Sequence, residues 1–241
     1  MNFTRSKIIC TVGPATDSIR SLRQLQKSGM NVVRINMSHA THTSALKVIT
    51  KINKINESSD SMLSKIGILL DTQGPEIRTG DTSIPIELKV GDEIKLTIRD
   101  EIDVETSSIK VNYKDLVHSV DVGSRISVDN GLINFKVLSK DSETLFCKVL
   151  HGGKLGSKRH VNLPGVRVNL PSITAKDIQD INFGIKHKVD FIAASFVRNK
   201  EDLKILDEIL KDKKSSAKII AKIENQEGLD NIDEICQSAW G

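Results

Sequence analysis

Two stretches of this chain alternate short apolar segments with segments of helical period, and a long stretch between them does not. In the first stretch, the apolar segments Lys7–Val12, Asn31–Asn36 and Ile66–Asp71 are short enough to be buried strands. Between them, Asp17–Gly29 and Ala45–Ile55 carry apolar residues at helical spacing. This order predicts parallel strands that are joined by helical crossovers.

The helical period is lost from Ile77 to about Asn169, where short segments alternate with Gly, Asp and Asn turns. Glu93–Ile98, Arg125–Val128 and Thr144–Val149 are segments of this kind. Their length and spacing predict an inserted all-β domain after the third strand.

The first pattern returns from Pro171 onwards. Thr174–Asp177 resembles a capping box, with Asp in place of the usual Glu, and predicts the start of a helix. Val189–Phe196 and Lys218–Ile223 are then predicted as strands four and five, with a helix between them. We therefore expect residues 1–76 and 170–241 to belong to one α/β domain, and residues 77–169 to form the inserted domain.

Five parallel strands with an insertion after the third fit either a doubly wound sheet or part of a (β/α)8 barrel. The polar residues at the carboxyl ends of the strands favour the barrel, because in a barrel those ends converge on one mouth. These residues are Arg34, Asn36, Asp71, Thr72, Ser195, Lys222 and Glu224. The favoured fold is thus a partial TIM (β/α)8 barrel of strands one to five.

Composition argues against a nucleic-acid partner. Aromatic residues make up 3% of the chain, and the 35 basic and 31 acidic residues are interspersed, unlike the mixture of aromatic and basic side chains that binds single strands. A membrane span needs about 18 consecutive apolar residues, and no apolar run in this chain is close to that length. The amino-terminal segment also lacks the apolar core of a signal peptide. Both observations favour a cytoplasmic location. Cys10, Cys147 and Cys236 lie among apolar neighbours and are expected to be buried, reduced thiols.

Three segments at predicted strand ends have distinctive sequences, and three further segments accompany them. In chain order they are Lys7–Pro14, Arg34–His39, Leu70–Gly80, Val161–Gly165, Asp190–Phe196 and Ala221–Gly228. Three of them, in this order and on either side of a β insertion, resemble pyruvate kinase: Arg34–His39, Leu70–Gly80 and Ala221–Gly228. The other three segments extend the match. The resemblance covers essentially the whole chain.

The resemblance implies transfer of the phosphoryl group of phosphoenolpyruvate to ADP, which gives pyruvate and ATP in glycolysis. Such a reaction depends on positioning and on neutralisation of charge. By the resemblance, Lys222 reaches the transferring phosphoryl group, Arg34 helps to hold it, and Ser195 lies in the substrate site. Lys222 and Glu224 are two residues apart on a predicted strand and therefore share the face that points to the mouth. The alternative for Lys222 is a solvated strand end.

The resemblance also implies two kinds of metal ion. Glu224 resembles a ligand of the divalent ion, Mg²⁺ or Mn²⁺, which prefers oxygen ligands. The potassium ligands of the family are matched by Asn36, Ser38, Asp71 and the carbonyl oxygen of Thr72. Glu76 corresponds to the residue type of potassium-dependent members. Without the resemblance, Asp71 is equally well interpreted as a helix or turn cap.

Four residues match positions near the nucleotide in the family. Pro14 lies where the adenine packs, His39 and Arg78 lie near the nucleotide, and Lys158 lies in the segment that closes over its phosphates as a lid. Turn or surface roles are the alternatives for these residues. The glycines of His151–Gly156 do not open a predicted helix, so they favour a hairpin turn over a phosphate cradle.

The chain departs from the family pattern at several positions. Gln73 stands where the family usually has Lys, while Ala40 and His160 stand where it has Gly, and these changes predict weaker affinity rather than lost chemistry. Trp240 takes the place of a family Asp. The resemblance implies further strands beyond Gly241, with a second metal carboxylate, so we expect these 241 residues alone to turn over poorly and to expose sheet edges.

A second interpretation is a non-catalytic pyruvate kinase remnant that binds nucleotide or a protein partner. An aldolase or lyase barrel is disfavoured by the β insertion and by the segment Leu70–Arg78. The family is commonly homotetrameric, and many of its subunit contacts lie outside the part that this chain resembles.

Overall fold

The computed structural model describes residues 6–58, 65–99, 108–166 and 168–241. The chain separates into two compact units, passing from the first to the second between Pro75 and Glu76 and returning between Leu170 and Pro171. The first unit is therefore built from two separate stretches of the chain, and the second unit from the stretch inserted between them.

The elements follow one another in chain order as three groups. The first group is β1 (Ile8–Thr11), α1 (Ile19–Lys27), β2 (Met30–Asn36), α2 (His42–Glu57) and β3 (Gly67–Asp71). The inserted group is β4 (Ile86–Leu88), β5 (Glu93–Thr97), β6 (Ser108–Lys110), α3 (Leu116–Ser119), β7 (Arg125–Val128), β8 (Ile133–Lys140), β9 (Thr144–His151), β10 (Gly153–Leu155) and β11 (Val161–Asn162). The last group is α4 (Ala175–Lys186), β12 (Phe191–Ala194), α5 (Lys200–Asp212), β13 (Lys218–Ala221), α6 (Gln226–Asp230) and α7 (Ile232–Ser238).

The strands of the first unit form one parallel sheet in the order β1-β2-β3-β12-β13. The order of the strands in the sheet is the same as their order in the chain. A doubly wound sheet requires a point at which the strand order reverses, and these strands have none, so the doubly wound alternative is wrong. In this register Asn36 lies beside Asp71, and Asp71 lies beside Ala193. The carboxyl ends of β2, β3 and β12 are therefore level, and residues that follow them are neighbours.

Side-chain caps determine where the helices of the first unit begin. Thr41 forms a capping box with Ser44 at the start of α2, and Thr174 forms the predicted capping box with Asp177 at the start of α4. Helix α2 therefore begins directly after Thr41, earlier than its apolar pattern alone indicates. Gly29 follows α1 with a φ of 106°, a conformation that glycine adopts readily, and leads the chain into β2.

The second unit has a sheet in the order β11-β7-β8-β9-β5-β6 and a pair of strands, β10 and β4. Its strands alternate buried and exposed residues, and Leu96, Ile126 and Phe135 are fully buried in its core. The helical turn α3 shows that the prediction of an all-β insertion is wrong in this detail, although strands dominate the unit.

The predicted hairpin at His151–Gly156 is wrong. Strands β9 and β10 lie on either side of Gly152 but belong to different sheets, and β10 pairs with β4. A Cβ atom on Gly152 would clash with the carbonyl oxygen of Leu88. Glycine is needed here because another segment of backbone passes so close.

The three cysteines differ in exposure, which corrects part of the prediction. All three are free, as expected, and Cys147 is buried in the second unit. Cys10 is partly exposed and Cys236 is exposed, since the apolar neighbours of Cys236 along the chain do not cover its side chain.

In the first unit, the parallel sheet packs its apolar side chains against the helices around Leu22, Ile52, Leu70 and Leu206, which are buried almost completely. Among residues 6–58, 65–99, 108–166 and 168–241, no helix combines the length and the apolar character that crossing a membrane requires.

Candidate active site

Asp71, the last residue of β3, is the centre of a charged cluster in the first unit. Its side chain is 1% exposed, yet it pairs with two cations, one from β2 and one from the residue that follows β13. The guanidinium of Arg34 approaches one carboxylate oxygen through Nε at 2.8 Å, and Nζ of Lys222 approaches the other at 3.1 Å. A carboxylate this deeply buried requires such partners, because an isolated buried charge is very costly.

Arg34 is directed towards Asp71 by its place in β2. It lies two residues before Asn36, so both side chains leave the strand on the same face. A further contact, from Nη1 of Arg34 to Oγ1 of Thr11 in β1, measures 2.8 Å and orients the planar guanidinium. Thr11 was not identified from the sequence, although its position at the end of β1 was a usable signal.

Lys222 follows the last residue of β13, and its backbone still pairs with the neighbouring strand through a hydrogen bond from its N–H to the carbonyl oxygen of Ala194. Its ammonium group donates to Ser195 Oγ at 2.8 Å and lies 3.1 Å from Asp71 and 3.2 Å from Glu224. An ammonium carries three N–H donors, so these three oxygen atoms match its capacity.

Ser195 follows β12 and is 5% exposed. Its hydroxyl group accepts the hydrogen bond from Lys222 and donates to the carbonyl oxygen of Thr72 at 2.6 Å. The hydroxyl thereby links the end of β3 to Lys222, and it is occupied on both sides within the protein.

Glu224 is held by Lys222 on one side and by backbone on the other. Its Oε2 accepts a hydrogen bond of 3.1 Å from the N–H of Phe196, which has a φ of 58°. Asn225 donates to the carbonyl oxygen of Phe196 at 3.2 Å, so the peptide groups on both sides of Phe196 are held. A positive φ at an aromatic residue is uncommon and leaves no pattern in the sequence, so Phe196 could not be identified beforehand.

The turn after β2 supplies further oxygen atoms. Oδ1 of Asn36 accepts the N–H of Ser38 at 3.0 Å, and the N–H of Met37 donates to the carbonyl oxygen of Asp71 at 2.9 Å. The side chains of Asn36 and Ser38, the carboxylate of Asp71 and the carbonyl of Thr72 therefore come from two adjacent strand ends. Oxygen donors of this kind suit a hard cation such as K⁺.

The fit to a divalent ion rests on Glu224, whose side chain is 34% exposed. In the described parts of the chain, no three His, Cys, Asp or Glu side chains cluster as they would to enclose a metal ion. A single carboxylate is compatible with Mg²⁺, which is commonly held by one or two carboxylates together with substrate phosphates.

Two of the predicted nucleotide residues lie in turns of the first unit. Pro14 is exposed, in a turn closed by the N–H of Thr16 and the carbonyl oxygen of Gly13 at 2.9 Å. His39 is exposed, and its N–H donates to the carbonyl oxygen of Asn36 at 3.2 Å. His39 thus lies in the turn that also carries Ser38, whereas Pro14 follows β1.

Glu76, Arg78 and Lys158 belong to the second unit. Arg78 donates through Nε to Glu76 at 2.6 Å and through Nη1 to the carbonyl oxygen of Lys158 at 2.8 Å. Lys158 has a φ of 54° and an exposed ion pair of 3.3 Å with Asp81. The structure therefore brings Arg78 and Lys158 together within the second unit.

These features define the chain as an α/β protein with a cation-lined site at the carboxyl ends of parallel strands. Two fixed cations beside an exposed carboxylate are suited to a substrate that carries a phosphoryl group and a divalent ion.

Comparison with known proteins agrees with this class. Residues 3–241 match the family model of the barrel domain of pyruvate kinase. The chain is 44% identical over 240 residues to the pyruvate kinases of Staphylococcus aureus strain MRSA252 and of Staphylococcus epidermidis. The alignments cover 98% of this chain and 40% of each relative, so the chain spans less than half the length of these enzymes.

The chain belongs to the pyruvate kinase family. Its parallel α/β sheet, with strands in sequential order, fits part of the barrel domain that the family model describes.

Proposed function

We propose that this chain provides the phosphoryl-binding part of a pyruvate kinase active site, which transfers the phosphoryl group of phosphoenolpyruvate to ADP and gives pyruvate and ATP. The observation that carries the proposal is the convergence of Arg34 and Lys222 on the buried carboxylate of Asp71. Asp71 fixes both cations before substrate binds, and preorganised charge is the main source of catalysis in phosphoryl transfer.

Lys222 is proposed as the residue that contacts the transferring phosphoryl group. Of its three partners, Asp71 and Ser195 are buried, whereas the side chain of Glu224 is 34% exposed. The contact with Glu224 is therefore the easiest to exchange for a phosphoryl oxygen, while the other two keep the ammonium in place. Arg34, 30% exposed, adds a planar donor for the same group. Ser195 serves the substrate site by orienting Lys222.

Glu224 is the proposed ligand for Mg²⁺ or Mn²⁺, and Asn36, Ser38, Asp71 and Thr72 are the proposed ligands for K⁺. Bound ions would neutralise charge on the phosphoryl oxygen atoms. Within the protein, Asp71 also balances the charges of Arg34 and Lys222, so its carboxylate has two roles.

Pro14, His39, Arg78 and Lys158 are proposed nucleotide contacts, and the inserted unit is proposed as the lid domain that the family resemblance implies. The contact between Arg78 and the backbone of Lys158 supports a common role for these two residues. The proposed architecture is strands one to five of a (β/α)8 barrel. We further propose the cytoplasm as the location and the homotetramer of the family as the assembly.

The proposal is tested by titrating the 241-residue chain with phosphoenolpyruvate in the presence of Mg²⁺ and K⁺, with calorimetric detection. Lys222→Met should weaken binding by about 10-fold to 100-fold, the effect of losing a charge-assisted hydrogen bond. Lys218→Met is the matched control, since Lys218 lies at the opposite end of the same strand and is exposed, and it should leave binding unchanged. Equal affinity of the Lys222→Met variant and the unaltered chain, or no binding by the unaltered chain, would refute the proposal.

A further inference from the structure

The first turn of α4 makes two contacts with loops of the proposed potassium site. Lys176 donates from Nζ to the carbonyl oxygen of Met37, over 2.8 Å. Its neighbour Asp177 accepts the N–H of Gly74 on Oδ1, over 3.0 Å. Two consecutive residues of one helix thus hold the turn after β2 and the turn after β3.

The contact with Met37 fixes the peptide groups between two of the proposed ligands. The N–H of Met37 donates to the carbonyl oxygen of Asp71 at 2.9 Å, while its own carbonyl accepts from Lys176. Met37 is 1% exposed and lies between Asn36 and Ser38. Since both sides of this residue are hydrogen-bonded, the directions of the neighbouring side chains depend on Lys176.

The contact with Gly74 acts in the same way on the other loop. Gly74 lies two residues after Thr72 with a φ of 72°, and a Cβ atom there would lie 2.8 Å from Cβ of Ser195. Asp177 is 2% exposed, and its second oxygen atom accepts from Thr174 in the capping box. A buried carboxylate with both oxygen atoms occupied is a rigid support for this turn.

Lys176 is itself held in place by a buried acid. Asp180, one turn further along α4, is 3% exposed and accepts from Nζ of Lys176 at 2.7 Å. The other oxygen atom of Asp180 lies 2.7 Å from Nε2 of His42, whose ring stacks on Phe183 with centroids 4.5 Å apart. These contacts restrict a side chain that is 46% exposed and would otherwise be free to move.

We propose that Lys176 and Asp177 are positioning residues for monovalent-cation binding: they set the affinity for K⁺ through the two loops and do not touch the ion. This inference rests on the proposed function, because it takes Asn36, Ser38, Asp71 and Thr72 as the ligands. A bound ion requires its donors to be held within about 0.5 Å of the productive arrangement, and both loops depend on α4 for that precision.

The test measures binding of Tl⁺, a monovalent probe for the K⁺ site, by thallium NMR titration of the 241-residue chain. Lys176→Met should raise the dissociation constant for Tl⁺ by about tenfold, the loss expected for one hydrogen bond to the loop. Lys176→Arg retains a donor and should restore affinity to within about threefold of the unaltered chain. Lys186→Met, on the same helix and exposed, is the matched control and should have no effect.

Two further measurements distinguish positioning of the potassium site by Lys176 and Asp177 from a general contribution of these residues to the stability of the fold. Binding of Mn²⁺, detected by electron paramagnetic resonance, depends on Glu224 and should stay the same in Lys176→Met. Asp177→Ala should weaken Tl⁺ binding more than Thr174→Ala, because both variants disrupt the capping box and only the former loses the contact with Gly74.

The outcomes distinguish this inference from the proposed function. If the unaltered chain binds Tl⁺ and Lys176→Met binds it equally well, the inference is overturned and the proposed potassium site stands. If the unaltered chain fails to bind Tl⁺, the proposed potassium site is refuted and the inference with it. Parallel losses of Tl⁺ and Mn²⁺ binding in Lys176→Met would also overturn the inference, since they indicate a general loss of structure.

Discussion

The two units of this chain differ in whether they bury charged side chains. In the first unit Asp71, Asp177, Asp180 and Asp202 are all buried, whereas the described part of the second unit buries no Asp, Glu, Lys or Arg side chain, and its buried polar side chains include three threonines, at 79, 97 and 144. Parallel strands bring their carboxyl ends to one edge, where polar residues from several strands meet and satisfy one another. The strands of the second unit, which pair antiparallel except for β5 and β6, instead place charged residues on an exposed face, and the core of this unit is apolar.

The difference also appears in how cations are arranged. In the second unit Arg125, Lys136 and Lys148 lie opposite one another on β7, β8 and β9, all exposed. Water screens such a row, so it needs no buried carboxylate. Arg34 and Lys222 in the first unit share one acid and are partly covered. We therefore expect the first unit to lose stability where charges are removed, and the second where its apolar packing is altered.

The largest effect is expected from Asp71→Ala, which leaves Arg34 and Lys222 without their shared carboxylate. Breaking a buried ion pair typically costs about 3–5 kcal/mol, and because both cations are partly hydrated we expect about 3 kcal/mol. Urea denaturation followed by circular dichroism measures the change. Glu143→Ala is the counterpart in the second unit; its exposed pair with Arg99 should contribute less than about 1 kcal/mol. Equal losses in the two variants would remove the distinction between the units.

A smaller effect is expected from alanine at two glycines with positive φ. Gly74 in the first unit has a φ of 72° and lies against Ser195, whereas Gly91 in the second unit has a φ of 95° and open space within 4 Å of the point that a Cβ atom would occupy. Both substitutions strain the backbone by about 1 kcal/mol. Gly74→Ala should cost about 2 kcal/mol more, because the new methyl group overpacks the site.

The same denaturation measurement applies to both glycine variants. It can be combined with phosphoenolpyruvate titration, in which Gly74→Ala should weaken binding and Gly91→Ala should not. A Gly91→Ala variant as unstable as Gly74→Ala would show that packing around the site adds nothing to the backbone strain.

The smallest effect concerns Cys147, a buried thiol in the core of the second unit. Burial raises the pKa of Cys147 from 9.0 to about 12. The folded state thus keeps the thiol neutral while the unfolded state ionises, so this contribution to stability is complete below pH 9.0 and is lost as the pH rises towards 12. At about pH 10 the loss is about 1.4 kcal/mol relative to neutral pH.

The variant Cys147→Val lacks the ionisable thiol, so comparing its unfolding free energy with that of the unaltered chain isolates the contribution of this ionisation. The difference in unfolding free energy between the variant and the unaltered chain should shift by about 1.4 kcal/mol in favour of the variant between about pH 8 and about pH 10. A constant difference across this range would mean that the thiol is not shielded from water in the folded state.

Much of the fold was predictable because its signals are local. The apolar spacing of Asn31–Asn36 and Ile66–Asp71 predicted strands that the structure has to within a residue or two, and the capping box at Thr174 predicted the start of α4. The hairpin at His151–Gly156 was wrong, because whether two successive strands pair depends on a third segment, here β4, which comes far earlier in the chain.

Some residues of the candidate site were likewise predictable from the sequence and others were not. Placement of Arg34, Asp71, Lys222 and Glu224 in one cluster followed from strand ends in a parallel sheet, and the family resemblance identified the same residues. Phe196 was missed because its contribution depends on a backbone angle that no spacing encodes. Thr11 was missed although it stands at the end of β1, because its contribution is to orient the guanidinium of Arg34.

The sequence by itself determined which segments become strands and helices and which polar residues stand at the strand ends, because periodicity and capping act between residues a few positions apart. The tertiary structure alone decided which of these residues support one another. Lys176 contacts Met37 across 139 positions and Asp177 contacts Gly74 across 103. Contacts at such separations depend on how helices pack on the sheet, and that packing is a property of the assembled core.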